Sequence, residues 1–256
     1  TVTELNQRLR DIKFNIDVID KKVSMNNLQF TTGSGSGNGE FYLELKDNMD
    51  ITGFGRLNLR RFPVVRPGLP EALVSGAIDT KVDLTKTNTE VALKFRNMDV
   101  RVITTGGGPT PRDIRMGTRT EVKYLSREEE PIEAVSNDSK IMKLSLDFNE
   151  PIDIRGTGIE MQWRGETSVL LKDQSSKISG SIAALPGRFE LMGNLFEIES
   201  GYINFPSGGK LDPFIDLTAL CDTSEAVITV TIRGRLSRPD LILSSNPNLS
   251  QYQIVA

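Results

Sequence analysis

Apolar side chains recur at every second position along nearly the whole chain, and this habit restricts the fold more than any other feature. Ile12, Phe14, Ile16 and Val18 alternate with Asp11, Lys13, Asn15 and Asp17. Phe41, Leu43 and Leu45 repeat the pattern around Tyr42 and Glu44, and Leu57 with Leu59, Ile78, Val82 with Leu84, and Val91, Leu93 and Phe95 extend it. Leu144, Leu146 and Phe148 follow, then Ile152 and Ile154. The run PGRFELMGNLFEIESGYINF (186–205) holds three more pairs, Phe189 with Leu191, Phe196 with Ile198, and Ile203 with Phe205, punctuated by Gly187, Gly193 and Gly201. Ile215 and Leu217, Ile228, Val230 and Ile232, and Leu241 and Leu243 complete the series. Successive side chains of a strand point to opposite sides, so this period gives each strand one dry face and one wet face.

The pattern predicts about fourteen to sixteen short strands, far more than the roughly five or six of an ordinary sheet. Short turns between them favour antiparallel pairing. At about 4.8 Å per strand such a sheet is a ribbon on the order of 70 Å long, and strand twist forbids it from staying flat. Folded lengthwise with its apolar face inward it encloses a long greasy trough; closed tightly it is a sandwich with an ordinary core. Periodicity fits both. The segment 1–11 places Val2, Leu5 and Leu9 at helical spacing and is read as one helical turn or a leading strand, and 67–73 as a single turn between strands.

Breaks fall at TTGSGSGNGE (31–40), TTGGGPTPRD (104–113) and the acidic, polar SREEEPIEAVSNDSK (126–140). These are expected to be flexible loops rather than domain boundaries, because the same strand grammar resumes on both sides. One continuous all-β structure over 1–256 is the expectation. The chain opens on Thr1, with neither a signal peptide nor an apolar run near 18 residues. It is therefore read as an internal fragment of a longer protein, with any membrane anchor outside it.

Composition removes whole classes of chemistry. There is no histidine, so Ser-His-Asp and Cys-His catalysis and every His-ligated metal site are excluded. The single cysteine, Cys221, excludes an internal disulfide and any Cys-x-x-Cys motif, and in LTALC it reads as a small buried residue. A net charge of −3 with mixed signs gives no broad positive field for nucleic acid.

The remaining motifs favour plain readings. Glu197 and Glu199 alternate with Phe196 and Ile198, which puts both carboxylates on the wet side rather than in an acid/base pair. The glycine runs 33–39 and 106–108 lack the strand, helix and lysine of a phosphate loop. Arg56, Arg60, Arg61 and Arg66 fit contact with anionic headgroups, or an edge strand guarded by charge and by Pro63 and Pro67; edge protection is the preferred reading. No catalytic residue, metal site or cofactor is expected, and the chain is read as non-enzymatic.

From RGTGIEMQWRGETSVL (155–170) onward the order of motifs becomes specific. Gly187, Phe189, Gly193, Phe196, Gly201, Ile203 and Phe205 are followed by Asp212, Pro213, Ile215 and Asp216. Gly234, Pro239, Leu241, Leu243, Ser244, Ser245, Pro247, Leu249 and Ile254 close the set, with Gln253 at a position the family often fills with an acid. This order resembles the C-terminal domain of the TamB family, the inner-membrane subunits of the bacterial translocation and assembly module, which are AsmA-like, bridge-type lipid-transfer proteins. The resemblance is specific over 141–256 and diffuse over 1–140, where LNLRRFPVVRPGLPEALVSGAIDTKVDL (57–84) also looks AsmA-like.

The resemblance implies a curled, antiparallel-rich sheet with a hydrophobic inner groove. It implies a periplasmic segment, anchored in the inner membrane upstream, that conducts phospholipid toward the outer membrane and docks on an outer-membrane β-barrel of the TamA type. The inward face is expected to carry Phe14, Phe41, Leu43, Leu57, Leu59, Phe95, Leu146, Phe148, Ile154, Phe189, Leu191, Phe196, Ile198, Ile215, Leu217, Val230 and Leu243. The rival reading is an interaction module that assists outer-membrane protein assembly by β-augmentation. A carbohydrate-binding sandwich is disfavoured by one Trp and four Tyr.

Overall fold

The structure is a computed structural model and describes residues 9–65, 71–103, 141–172, 175–191, 193–206 and 212–248. Its elements are all strands: β1 (Arg10–Ile19), β2 (Lys22–Thr31), β3 (Ser36–Leu45), β4 (Ile51–Val64), β5 (Glu71–Leu84), β6 (Asn88–Ile103), β7 (Ile141–Gly156), β8 (Ile159–Lys172), β9 (Ser175–Ala184), β10 (Arg188–Leu191), β11 (Asn194–Phe205), β12 (Phe214–Asp222), β13 (Val227–Arg235) and β14 (Arg238–Asn246). They form one 14-stranded sheet that follows chain order, with β9 pairing off the main path.

Two departures from a simple meander matter. β6 and β7 pair in parallel, Asn88 opposite Ile141 and Val91 opposite Leu144, while every other pair is antiparallel. Strands β9 and β10 share one position between β8 and β11, as two collinear halves of a single strand. The interruption at 185–187 stays tied to its neighbours: the Leu185 N–H donates to the Gln162 carbonyl (2.8 Å), and the Gly187 carbonyl accepts from the Ile198 N–H (2.7 Å).

Register shifts interrupt much of the ladder, and those from β4 to β8 fall close to one line; further ones lie in the β1–β2, β2–β3 and β11–β12 pairs. The shifts from β4 to β8 fall between Leu59 and Phe62, Ser75 and Ala77, Lys94 and Asp99, and Phe148 and Ile152, and that of β11 between Ile198 and Ser200. Each bulge leaves extra residues unpaired, and bulges of this kind bend a strand and sharpen its local twist.

Several expectations are corrected. Within 31–40 only the turn between Thr31 and Ser36 is loop; Gly37 and Gly39 lie in β3, paired with Leu59 and Leu57. Gly201 does not separate strands but sits buried inside β11, packed against Ala184 and Leu217. Arg56, Arg60 and Arg61 belong to β4, which is paired on both sides, so edge protection fails as their explanation; Arg66 and Pro67 lie outside the described residues. Residues 71–73 open β5 rather than a helical turn, while 10–11 open β1, as the leading-strand alternative has it, and 1–8 lie outside the described residues. The expected loops 104–113 and 126–140 also lie outside the described residues.

Candidate functional site

Directly opposed residues in a sheet point the same way, so the register carries a face from strand to strand. One ladder runs Val18, Val23, Leu43, Gly53, Val82, Val91, Leu144, Val169 and Ile178 without changing side. A second runs from Ile159 through Phe189 to Phe196, and a third from Ile198 through Ala219 and Val230 to Leu243. Alternation within β11 and β8 joins these to the first.

Followed this way, the apolar residues singled out from sequence share one face. Phe14 and Leu43 are exposed on it. Phe41, Leu57, Leu59, Phe95, Leu146, Ile154, Phe189, Ile215, Leu217 and Leu243 are half-buried. Phe148, Phe196, Ile198 and Val230 are buried. Leu191 is placed by its backbone alone, opposite Asn194. The face is thickest toward the C-terminal end, where Phe196, Ala219, Cys221, Ile228 and Val230 pack as a cluster with Phe189, Ile232 and Leu243 against it. Elsewhere the half-burial of its large side chains leaves apolar area accessible. Among the described apolar residues of the core only Ala219 and Val230 are less than 2% exposed.

Periodicity missed Phe30, Phe62 and Met98, which also stand on this face. Each follows a bulge that moves the alternation by one residue: Asn27 (φ 55) is left-handed three residues before Phe30, and Arg61 (φ 50) and Asn97 (φ 48) immediately before Phe62 and Met98. The ring of Phe30 covers Gly37, its partner on β3, and meets Phe62 edge-on at 6.2 Å.

The opposite face is charged and self-paired. Asp79 accepts from Arg56 Nε (2.5 Å) and Arg96 Nε (2.6 Å), and Arg96 Nη1 continues to Glu150 (3.1 Å). These guanidiniums, Arg56 foremost through its hydrogen bond, hold the Asp79 carboxyl down to about 2. Arg188 pairs with Glu160 (2.6 Å) and Arg233 with Asp216 (2.7 Å). Glu197 and Glu199 are both exposed, as their alternation requires. No group of three acids or thiols able to hold a metal occurs among the described residues, and no described helix is long and apolar enough to cross a membrane.

The motif acid Asp212 has a structural task. Its carboxylate accepts the Ser237 N–H (3.0 Å) and the Ser237 hydroxyl (2.9 Å), and its carbonyl accepts from Arg235 Nη1 (3.1 Å). It thereby fastens the approach to β12 onto the β13–β14 turn, and the Ser237 hydrogen bonds lower its carboxyl from the ordinary value.

The same motifs settle the family. Residues 21–256 match the description "TamB C-terminal domain". The chain belongs to the TamB family. The match reaches well into the first half, where motifs are sparse and strand grammar alone suggested kinship. No curated protein matches the chain.

Proposed function

We propose that this TamB-family segment carries phospholipid between the inner and outer membranes of a bacterial envelope, with acyl chains lying along the apolar face and headgroups at its wet margin. The observation behind this reading is the continuity of that face: one apolar side spans the strands from β1 to β14 while the other is set with ion pairs. Bulges in successive central strands favour a bend there, and an inward curl would turn the face into a trough. Burying a methylene gains roughly 0.8 kcal/mol, so about fourteen of them gain on the order of 10 kcal/mol before ordering costs. A trough open along its length lets tails slide while the headgroup stays hydrated, and no residue need do chemistry. The periplasm is the proposed compartment, an outer-membrane barrel of the TamA type the proposed partner.

Native mass spectrometry of the purified chain, with lipid extraction from the same sample, tests this. Bound phospholipid is expected in the wild type and reduced in Leu57→Asp and Leu146→Asp, which are half-buried and leave the C-terminal cluster intact. Ala92→Asp, exposed on the polar face opposite Lys81, is the control that keeps its lipid. A lipid-free mass that takes up no added phospholipid would move the assignment to protein assembly. One observation favours that second reading: all ten residues of β1 are exposed, and β1 pairs only with β2 among the described strands. Photocrosslinks from β1 to a client strand, without crosslinks to lipid, distinguish the two.

A further inference from the structure

We infer that the polar face carries a second site, a cleft that takes a pyranose sugar bearing one negative group. The cleft holds about 710 Å³; most of its lining, Lys22, Tyr42, Lys46, Phe54, Lys81 and Asp83 among it, alternates onto the polar face, and Val23, Leu43 and Gly53 of the apolar ladder also border it. That volume lies in the range of small-ligand clefts, roughly 300–1,000 Å³.

Its floor is aromatic. Tyr42 and Phe54 are directly opposed on β3 and β4, and their rings stack at 4.9 Å with 26° between planes. The Tyr42 hydroxyl donates to Asn26 Oδ1 (3.3 Å), which fixes that ring. Phe54 is 64% exposed on an interior strand, the most exposed aromatic side chain among the described residues. The exposed part of this ring, with Tyr42 stacked on one side and Lys81 opposite it on β5, adds apolar area of the kind that packs against the C–H face of a pyranose.

The rim supplies the polar half of the recognition. Lys22 pairs with Glu44 (3.6 Å) and Lys81 with Asp83 (3.0 Å), which places donors and acceptors for sugar hydroxyls at the rim. Lys46 lines the same cleft and makes no ion pair among the described residues. Three ammonium groups against two carboxylates leave one positive charge uncommitted. A neutral sugar leaves that charge idle, a polyanion meets Glu44 and Asp83, and a singly charged sugar matches it. Such a sugar is either part of a soluble glycan or the headgroup of a glycolipid.

Isothermal titration calorimetry on the 256-residue chain tests the site. The probes are a glucuronate-containing disaccharide, neutral cellobiose, and phosphatidylcholine vesicles with and without a glucuronosyl diacylglycerol. The acidic disaccharide is expected to bind saturably and about fivefold more tightly than cellobiose. Phe54→Ser weakens it at least about tenfold, Phe54→Trp retains it, and Lys46→Ala erases the preference for the acidic sugar. Binding of glycolipid vesicles through Phe54, stronger than that of the free disaccharide, assigns the headgroup source; equal or weaker binding assigns the soluble glycan. Circular dichroism and melting curves confirm that the variants are folded. No saturable heat from either sugar, or binding unchanged in folded Phe54→Ser, overturns the site.

Discussion

Phe41 lies over Gly55, the residue directly opposite it across β3 and β4, and its ring occupies the place where a Cβ at position 55 would stand. The Glu40 carbonyl closes the same space, 2.8 Å from that Cβ. A large ring laid flat over a glycine keeps the apolar face smooth at this point. Gly55→Ala forces ring and backbone apart, an overpacking cost of about 1–3 kcal/mol. For a chain of this size each kcal/mol corresponds to about 2–4 °C in melting temperature. Shortening the ring relieves only the side-chain half of the clash, so Gly55→Ala combined with Phe41→Ala should cost less than the sum of the single changes. Additive melting shifts would show that the two positions do not press on each other.

The Asp79 network makes stability depend on acid. Its carboxyl sits at about 2 in the folded chain, against an ordinary value of 3.8. A folded value below the unfolded one means the contribution is complete above about pH 4 and disappears as pH falls through about 2. The side chain is 25% exposed, so screening keeps the contribution near about 1 kcal/mol. Asp79→Asn should therefore lower the urea midpoint at neutral pH, with the gap from wild type narrowing steadily between about pH 4 and pH 2. A gap that stays constant over that interval assigns the loss to packing instead.

Cys221 is 5% exposed within the cluster of Phe196, Ala219, Ile228 and Val230. Burial, with a smaller push from Asp222, raises its thiol above the ordinary value, which leaves little thiolate at mildly alkaline pH. A thiol-disulfide reagent at about pH 8 is expected to label it only at the rate of local or global opening, and rapidly in urea. Immediate full labelling of the native chain would contradict the packing described for this end of the sheet.

Strand existence and the identity of the apolar side were legible because alternation is a local property. Phe14, Phe95, Leu146 and Val230 could be placed without knowing their partners, since the next residue but one in each strand is also apolar. The register shifts were not legible. Leu59 and Phe62 share a face although they are three residues apart, and so do Phe95 and Met98, because Arg61 and Asn97 turn the chain with positive φ. An arginine carries no local signal for that conformation; an asparagine carries a weak one. The strand position of β4 was also hidden. A cluster of arginines looks the same on an edge as on an interior strand until Asp79 is seen opposite Arg56. Glycines misled in the same way: Gly37, Gly39 and Gly201 suggested breaks, whereas they lie within strands, where Phe30 crosses Gly37 and Leu217 packs on Gly201. The parallel β6–β7 pair depends on contacts between distant segments, which no window of sequence contains.

The bulge at Asn97 gives the sharpest test of how the apolar face is kept in phase. With φ at 48, Asn97 lets β6 gain one residue on β5 between the pairs Ala77–Arg96 and Ser75–Asp99. That extra residue returns Met98 and Val100 to the side already occupied by Phe95, where Met98 is 6% exposed. Asparagine tolerates the left-handed region, glycine more so, and a β-branched residue least of all. Asn97→Val is expected to cost about 1–2 kcal/mol, seen as a lower urea midpoint at unchanged slope, and Asn97→Gly to be neutral or slightly stabilising. If the valine instead drives the bulge out of the strand, Met98 rotates to the polar face and becomes open to oxidation by dilute peroxide, which peptide mapping detects. A valine variant with wild-type stability and a protected Met98 would mean that the register is set by the neighbouring strands and not by residue 97.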